Sequence, residues 1–154
     1  MDERKKQIVC EGMLEMVGQY KGDITPEEAW RLLSEETSTV LVDVRTKAEW
    51  NYVGVPELSE ISKDNILIEW VNFPEGAPNP TFLEELGEAV PDKATSIFFL
   101  CRTGVRSVGA AIAATEAGYA NSYNILDGFE GGPDADGHRG RISGWQGKKL
   151  PWKH

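Results

Sequence analysis

The chain has 154 residues, of which 40% are hydrophobic and 27% are charged, and it carries a formal net charge of −9. This length and composition fit one compact domain with its own core, and two cysteines are too few for a disulfide framework. The acidic balance excludes nucleic acid as the main partner. Without a signal-like N-terminus or a membrane-length apolar run, the sequence predicts a cytoplasmic protein with no membrane partner.

The first predicted elements are helical. Residues 1–23 predict a helical N-terminal extension, and residues 24–154 predict the main domain. Thr25 and Glu28, with a proline between them, are typical of a helix start, because a threonine cap is followed three residues later by glutamate. Cys10 lies in the extension, where core packing is the favoured role and a resolving cysteine is the alternative.

Strands and helices alternate along the rest of the chain. Short β-branched or apolar runs predict buried strands, and apolar residues at helical spacing predict helices. The predicted strands are 40–44, 66–71, 97–100 and 123–126, and the predicted helices are 46–52, 82–90, 107–117 and a short one around Trp145. This order predicts an α/β domain in three layers, with a mainly parallel central sheet and helices on both faces.

The strongest chemical signal is Cys101, which directly follows a predicted buried strand and precedes a helix. Ligand sites in parallel sheets lie beyond the carboxyl ends of the strands. The following loop combines two arginines with a glycine, in the order Arg102, Thr103, Gly104, Val105, Arg106 and Ser107. Turn amides, the helix N-terminus and the arginines would all favour a thiolate over a thiol. Cys101 is therefore predicted to be a nucleophile rather than a core residue.

This loop resembles the active-site loop of rhodanese-like sulfurtransferases of the single-domain bacterial type. Further motifs extend the resemblance over roughly residues 24–152: Asp43-Val44-Arg45 with Glu49-Trp50, Ala117-Gly118-Tyr119, Tyr123 to Phe129, Gly144-Trp145 and Leu150-Pro151-Trp152. The resemblance implies a rhodanese-like fold and a persulfide on Cys101. It also implies that loop amides hold the persulfide, that Arg102 and Arg106 attract the donor anion, and that no metal or other cofactor is needed.

The implied reaction moves sulfane sulfur from a small anionic donor, thiosulfate or a persulfide, to cyanide or a thiol. A protein sulfur donor or acceptor is a further potential partner. Asp43 and Arg45 are expected to support the loop without touching the substrate. Thr46 already suits the cap of the next helix, and the resemblance favours an ion pair of Asp43 with Arg45 or with a loop arginine.

Other functions stay open at this point. A persulfide carrier or a regulatory binding module would need the same loop without useful turnover. A phosphatase or an arsenate reductase is less compatible, since related phosphatases place five residues between the cysteine and the arginine, whereas four separate Cys101 from Arg106.

The glycine-rich segment 127–141 is predicted to be a solvated loop. The alternative is that it borders the mouth of the site and helps to select the donor or a partner protein. Asp134, Asp136 and His138 lie in this loop, but the remaining ligand pattern of a calcium-binding loop is absent from the sequence.

Overall fold

The computed structural model describes residues 19–72 and 76–154. Most of the predicted N-terminal extension, including Cys10, lies outside the described residues. The strands of the described part are β1 (Gly22–Ile24), β2 (Thr39–Asp43), β3 (Val55–Pro56), β4 (Ile66–Leu67), β5 (Ser96–Leu100), β6 (Ser122–Ile125) and β7 (Trp152–Lys153). Five of them form one sheet in the order β1-β6-β5-β2-β4 with parallel pairings throughout, and β3 pairs with β7 antiparallel.

The helices cover both faces of this sheet. They are α1 (Pro26–Glu35), α2 (Lys47–Tyr52), α3 (Phe82–Ala89), α4 (Arg106–Glu116) and α5 (Gly144–Gly147), with a 3-10 turn at Ser59–Ile61. Neighbouring strand residues point to opposite faces and so feed two apolar clusters. One cluster includes Val42, Phe99, Phe82, Leu86 and Ala110, and the other includes Leu41, Phe98, Ala29, Leu33 and Trp145. The predicted three-layer α/β fold is confirmed. Over the described ranges, none of the helices combines the length and the apolar character needed to cross a membrane.

The predicted helix starts are also found. The Glu28 N–H donates to Thr25 Oγ1 at 3.1 Å at the start of α1. At the start of α2, Thr46 and Glu49 form a reciprocal capping box, with the Thr46 N–H donating to Glu49 Oε1 at 3.0 Å. Because this box follows β2 directly, it places Arg45 and Glu49 at the carboxyl edge of the sheet.

Two parts of the sheet differ from the prediction. The predicted strand 66–71 is shorter, since only Ile66–Leu67 pairs with β2, and Val71 instead bridges Pro78. Strand β1 was not predicted, and it brings Gly22 and Asp23 into the sheet beside β6. A three-residue edge strand carries no periodic pattern, because its stability comes from pairing with a distant segment.

Candidate active site

Cys101 lies at the carboxyl end of the central strand β5, where the sequence predicted the site. Its Sγ accepts a hydrogen bond from the Gly104 N–H at 3.1 Å and another from the Ser107 hydroxyl at 3.2 Å. The residue is 1% exposed and packs against one core cluster, so the sulfur is buried rather than open to solvent. One amide and one hydroxyl reach the sulfur, where the resemblance implied loop amides. A donating amide, with a hydroxyl that can turn its hydrogen to the sulfur, suits a sulfur anion.

Gly104 makes this turn, and the position demands glycine. Its φ is +95°, in the region that L side chains rarely adopt. A Cβ at this position would also lie 2.9 Å from the backbone nitrogen of Asp127. The conformation aims the Gly104 N–H back at Cys101, so the glycine in the loop contributes a hydrogen-bond donor through its backbone.

Ser107 connects the sulfur to a polar network that runs from the buried Asn124 to the exposed Asp23. Its hydroxyl also donates to Asn124 Oδ1 on β6, so its single hydrogen is shared between this oxygen and Cys101 Sγ. Asn124 Nδ2 donates to Gly104 O at 3.2 Å and to Asp23 Oδ1 at 3.0 Å, and Asp23 also accepts from the Tyr20 hydroxyl at 2.9 Å. Burial, followed by the Asp23 carboxylate, raises the pKa of Tyr20 to about 12, so this hydroxyl stays a donor. The network fixes Ser107 from behind the loop.

The segment after β6 binds to the backbone of the cysteine loop. The Phe129 N–H donates to Cys101 O at 2.8 Å, and the Glu130 N–H donates to Arg102 O at 2.9 Å. This close approach requires a glycine at position 128, where φ is +61° and a Cβ would overlap Cys101 O and the carbonyl of Arg102. Part of the glycine-rich segment is therefore a rigid support for the loop.

Replacement of Gly128 by alanine is expected to destabilise the fold by about 2–3 kcal/mol, because the new side chain meets both positive φ and a backbone overlap. The sulfur transfer predicted from the sequence should fall about a hundredfold in the folded variant, as expected for a reacting group displaced by about 1 Å. Steady-state kinetics and urea unfolding measure the two effects. Gly132→Ala is the matched control, since a Cβ at Gly132 meets nothing within 4 Å; equal behaviour of the two variants would contradict the prediction.

Arg106, the first residue of α4, is paired with a carboxylate. Its Nη1 and Nη2 donate to the two carboxylate oxygens of Glu49 at 2.9 and 2.8 Å. Burial opposes the charge of Arg106, but Glu49, with smaller contributions from Cys101 and Asp43, raises its pKa above the ordinary value. The pair joins α4 to α2 and holds the second arginine of the loop in place.

The same pair gives the fold a dependence on acid pH. Burial favours the neutral form of Glu49, but hydrogen bonds from Arg106 and Thr46 outweigh it and hold the pKa of Glu49 below its ordinary value of 4.5. A carboxyl with a depressed pKa stabilises the fold above its unfolded-state pKa, and this contribution is lost as pH falls through the folded-state pKa.

Glu49→Gln is therefore expected to lower the free energy of unfolding by about 2 kcal/mol at pH 7. The difference from the wild-type protein should shrink as the pH falls below 4.5, because the wild-type carboxyl then becomes neutral as well. Urea unfolding at several pH values measures this. Glu60→Gln on the exposed 3-10 turn is the control, and a pH-independent difference for Glu49→Gln would count against the ion pair.

Asp43 and Arg45 form the buried ion pair that the sequence favoured, and the partner is Arg45 rather than a loop arginine. The side chains are fully buried, with Nε to Oδ1 at 2.9 Å and Nη2 to Oδ2 at 2.7 Å. Nη2 also donates to Gly54 O at 2.7 Å, and the guanidinium lies 4.2 Å from the ring centre of Phe129. The pair thus supports Phe129, whose backbone N–H binds Cys101 O.

A cleft of about 670 Å³ opens over the outer side of the cysteine loop. Its lining combines residues of the loop, of α2 and of the glycine-rich segment: Arg102, Thr103, Arg106, Thr46, Ala48, Glu49, Tyr52, Val53, Glu130 and Arg139. Val105, in the same loop, is 74% exposed. Since Glu130 and Arg139 line the cleft together with Arg102 and Thr103, the segment 127–141 borders this cleft beside the cysteine loop.

The far end of that segment has a different role. The ligand atoms of Asp134, Asp136 and His138 lie within 4.8 Å of one another. However, Asp134 Oδ1 already accepts the backbone N–H groups of Asp136 and His138, each at 2.9 Å. These bonds account for the grouping as a turn that the Asp134 carboxylate stabilises.

Comparison with known families agrees with this geometry. The family model of the STR4 middle domain matches residues 21–154, which include β1, the cysteine loop and the segment after β6 that binds the backbone of this loop. The chain belongs to this family.

Similar proteins cover most of the length of the chain. The crystal structure of Rv0390 from M. tuberculosis has 50% sequence identity and a TM-score of 0.79, over 87% of this chain and 98% of that one. The uncharacterized protein RC0915 from Rickettsia conorii is 39% identical over 132 residues, 85% of this chain and 96% of that protein.

Two more distant proteins carry sulfur transfer in their names. The polysulfide-sulfur transferase homodimer from Wolinella succinogenes has a TM-score of 0.63 over 99% of this chain and 92% of that one; its 19% identity makes this a likeness of fold. Thiosulfate sulfurtransferase GlpE from Haemophilus influenzae is 28% identical over 112 residues, 71% of this chain and 85% of that protein. The chain has a rhodanese-like fold.

The structure brings together polar residues that sequence reasoning had not assigned to the site. Asn124 and Glu49 belong to motifs that carry the family resemblance, but neither was given a role at the cysteine loop. Glu130 and Arg139 were seen as part of a solvated loop. The positions of Glu130 and Arg139 depend on the hydrogen bonds between the segment after β6 and the cysteine loop. The glycine at position 128 was the one sequence signal of this close approach.

Proposed function

We propose that the protein is a sulfurtransferase that moves sulfane sulfur through a persulfide on Cys101. The observation that carries the proposal is the position of Cys101 Sγ at the end of a central parallel strand, where the Gly104 N–H donates to it and the Ser107 hydroxyl, which shares its hydrogen with Asn124 Oδ1, lies 3.2 Å away. Donors in this position would stabilise the thiolate that attacks the donor and the thiolate that leaves in the second step.

The reaction is balanced without a further oxidant or cofactor. The Cys101 thiolate attacks the outer sulfur of thiosulfate; the new S–S bond forms as the bond to the sulfonate sulfur breaks, and sulfite leaves with the electron pair. The persulfide anion takes up a proton from water, and an acceptor thiolate or cyanide then attacks its outer sulfur. A thiol acceptor leaves as a hydropersulfide that carries the proton, and cyanide leaves as thiocyanate, with the proton returned to water. The Cys101–S bond breaks and the cysteine thiolate is restored, as in ping-pong covalent catalysis.

The likeness to named sulfurtransferases supports this reaction class. The donor is proposed to be a small sulfur anion, thiosulfate or a persulfide, and the acceptor a thiol or cyanide. A protein donor or acceptor is compatible with the same chemistry. A cytoplasmic location and the division of the chain at residue 24 belong to the same proposal.

The 1% exposure of Cys101 favours one alternative, a persulfide carrier that takes up sulfur but releases it slowly. Intact mass after incubation with thiosulfate distinguishes the cases. Gain of one sulfur that cyanide removes rapidly supports the sulfurtransferase, and gain with slow removal supports the carrier. If the protein gains no sulfur, it is neither a sulfurtransferase nor a persulfide carrier.

A further inference from the structure

The cleft over the cysteine loop is larger than thiosulfate requires. Its volume of about 670 Å³ lies in the range of pockets that bind organic ligands of substantial size. One wall is formed by Ala48, Tyr52 and Val53 of the α2 region, which offer carbon surface, and Tyr52 is 83% exposed. A ligand that fills this space needs an apolar stem in addition to its sulfur.

The charges that line the cleft are not equivalent. Arg106 is neutralised by the bidentate contact with Glu49, and Arg102 Nε lies 3.4 Å from Glu130 Oε2. Arg139 differs: its Nη1 donates to Gly131 O at 2.7 Å, and no carboxylate oxygen lies within 4.0 Å of its guanidinium in the ranges 19–72 and 76–154. Arg139 therefore keeps an uncompensated positive charge at the cleft.

The position of Arg139 is fixed relative to the cysteine loop. The Gly140 N–H donates to Glu130 O at 2.7 Å, and the Glu130 N–H donates to Arg102 O at 2.9 Å. Gly140, the residue next to Arg139, is thus connected to the cysteine loop through the backbone of Glu130. A charge that is already held in place loses little side-chain entropy when it binds an anion.

We infer that Arg139 selects carboxylate-bearing, low-molecular-weight thiols as sulfur acceptors, by binding the carboxylate while the thiol reaches the persulfide on Cys101. The inference rests on the proposed function. It adds the class of acceptor. An anionic acceptor needs a local positive charge at the cleft, because the protein as a whole has a net charge of −9 and repels anions. The apolar wall around Tyr52 contacts the carbon stem between the two groups of the acceptor.

The test compares acceptors that differ in charge but not greatly in size: 3-mercaptopropionate, 2-mercaptoethanol and cysteamine. Arg139→Gln removes the charge but keeps an N–H that can donate to Gly131 O. We expect this variant to raise KM for 3-mercaptopropionate about fivefold and to leave KM for 2-mercaptoethanol unchanged. KM for cysteamine, which is cationic, should fall in this variant. The changes in KM should shrink in high salt, because charges at an exposed cleft are screened.

Two further variants control for fold and position. Arg139→Lys keeps the charge and should retain most of the preference for 3-mercaptopropionate. Arg141→Ala removes an arginine two residues away, whose side chain is 61% exposed and lies toward Asp134 outside the cleft lining; it should change none of the three KM values. Equal changes for all three acceptors in Arg139→Gln, or none, overturn the inference.

A second measurement does not depend on turnover. In a Cys10→Ser background, Cys101 is alkylated with iodoacetate, which is anionic, and with iodoacetamide, which is neutral. Arg139→Gln should slow the first about fivefold and leave the second unchanged, and an unchanged ratio of the two rates overturns the anion site. If the ratio falls as expected but thiosulfate adds no sulfur to Cys101, the anion site stands and the proposed function fails, together with the acceptor role of Arg139.

Discussion

Replacement of Cys101 by serine is expected to reduce thiocyanate formation from thiosulfate and cyanide by at least about a thousandfold. Serine at this position would still accept the Gly104 N–H, so the loop should keep its shape. What is lost is the sulfur nucleophile, because a hydroxyl is not ionised at neutral pH and forms no persulfide. Steady-state kinetics and intact mass after incubation with thiosulfate measure the loss.

Cys10→Ser is the matched control, since Cys10 is the other of the two cysteines in the chain. This variant should gain one sulfur from thiosulfate and keep wild-type turnover. Turnover near the wild-type rate in Cys101→Ser would exclude the proposed mechanism. Loss of turnover in Cys10→Ser, with sulfur uptake intact, would instead assign Cys10 a role in releasing the sulfur.

The position of Cys101 could be predicted because it depends on local signals. A buried apolar run ending at Leu100 predicts the strand, Gly104 predicts a tight turn, and the following alanine-rich segment predicts the helix. These elements are found at Ser96–Leu100 and Arg106–Glu116. Where a site is made by one strand, one turn and one helix in sequence order, the pattern of the residues determines it.

The partners of the two loop arginines could not be predicted in this way. Arg106 meets Glu49, 57 positions earlier in the chain, and Arg102 meets Glu130 on the segment after β6. Both contacts depend on the order β6-β5-β2, which places α2 and the segment after β6 on either side of the cysteine loop. A sequence shows that arginines are present, but only tertiary packing decides which of them keep a free charge.

The polar network behind the sulfur was missed for the same reason. Asn124 connects Ser107 on α4 with Asp23 on β1, and Asp23 and Asn124 are 101 positions apart. Strand β1 lies beside β6 only through a parallel pairing across most of the chain. The three-residue strand has no pattern of its own, so neither the strand nor its role behind the site could be inferred from local sequence.

Replacement of Asp43 by asparagine is expected to lower the free energy of unfolding by about 3–5 kcal/mol, because it leaves the charge of Arg45 buried without its partner. Both side chains are fully buried, and Arg45 Nη1 has no hydrogen-bond partner among the described residues, so little is available to replace the lost carboxylate. In urea, a loss of this size shifts the unfolding midpoint by roughly 2 M for a protein with a slope of about 2 kcal/mol/M.

The double variant Asp43→Leu with Arg45→Met is the control that separates charge from packing. It removes both charges and fills similar space with apolar side chains, so it should be more stable than Asp43→Asn alone. Neither Asp43 nor Arg45 lines the cleft, and KM for thiosulfate should therefore change little in Asp43→Asn molecules that stay folded. A double variant that is less stable than the single one would show that hydrogen bonds of Arg45, such as that to Gly54 O, dominate over the unpaired charge. A raised KM with normal stability would place the pair in substrate binding instead of in support of Phe129 and the loop.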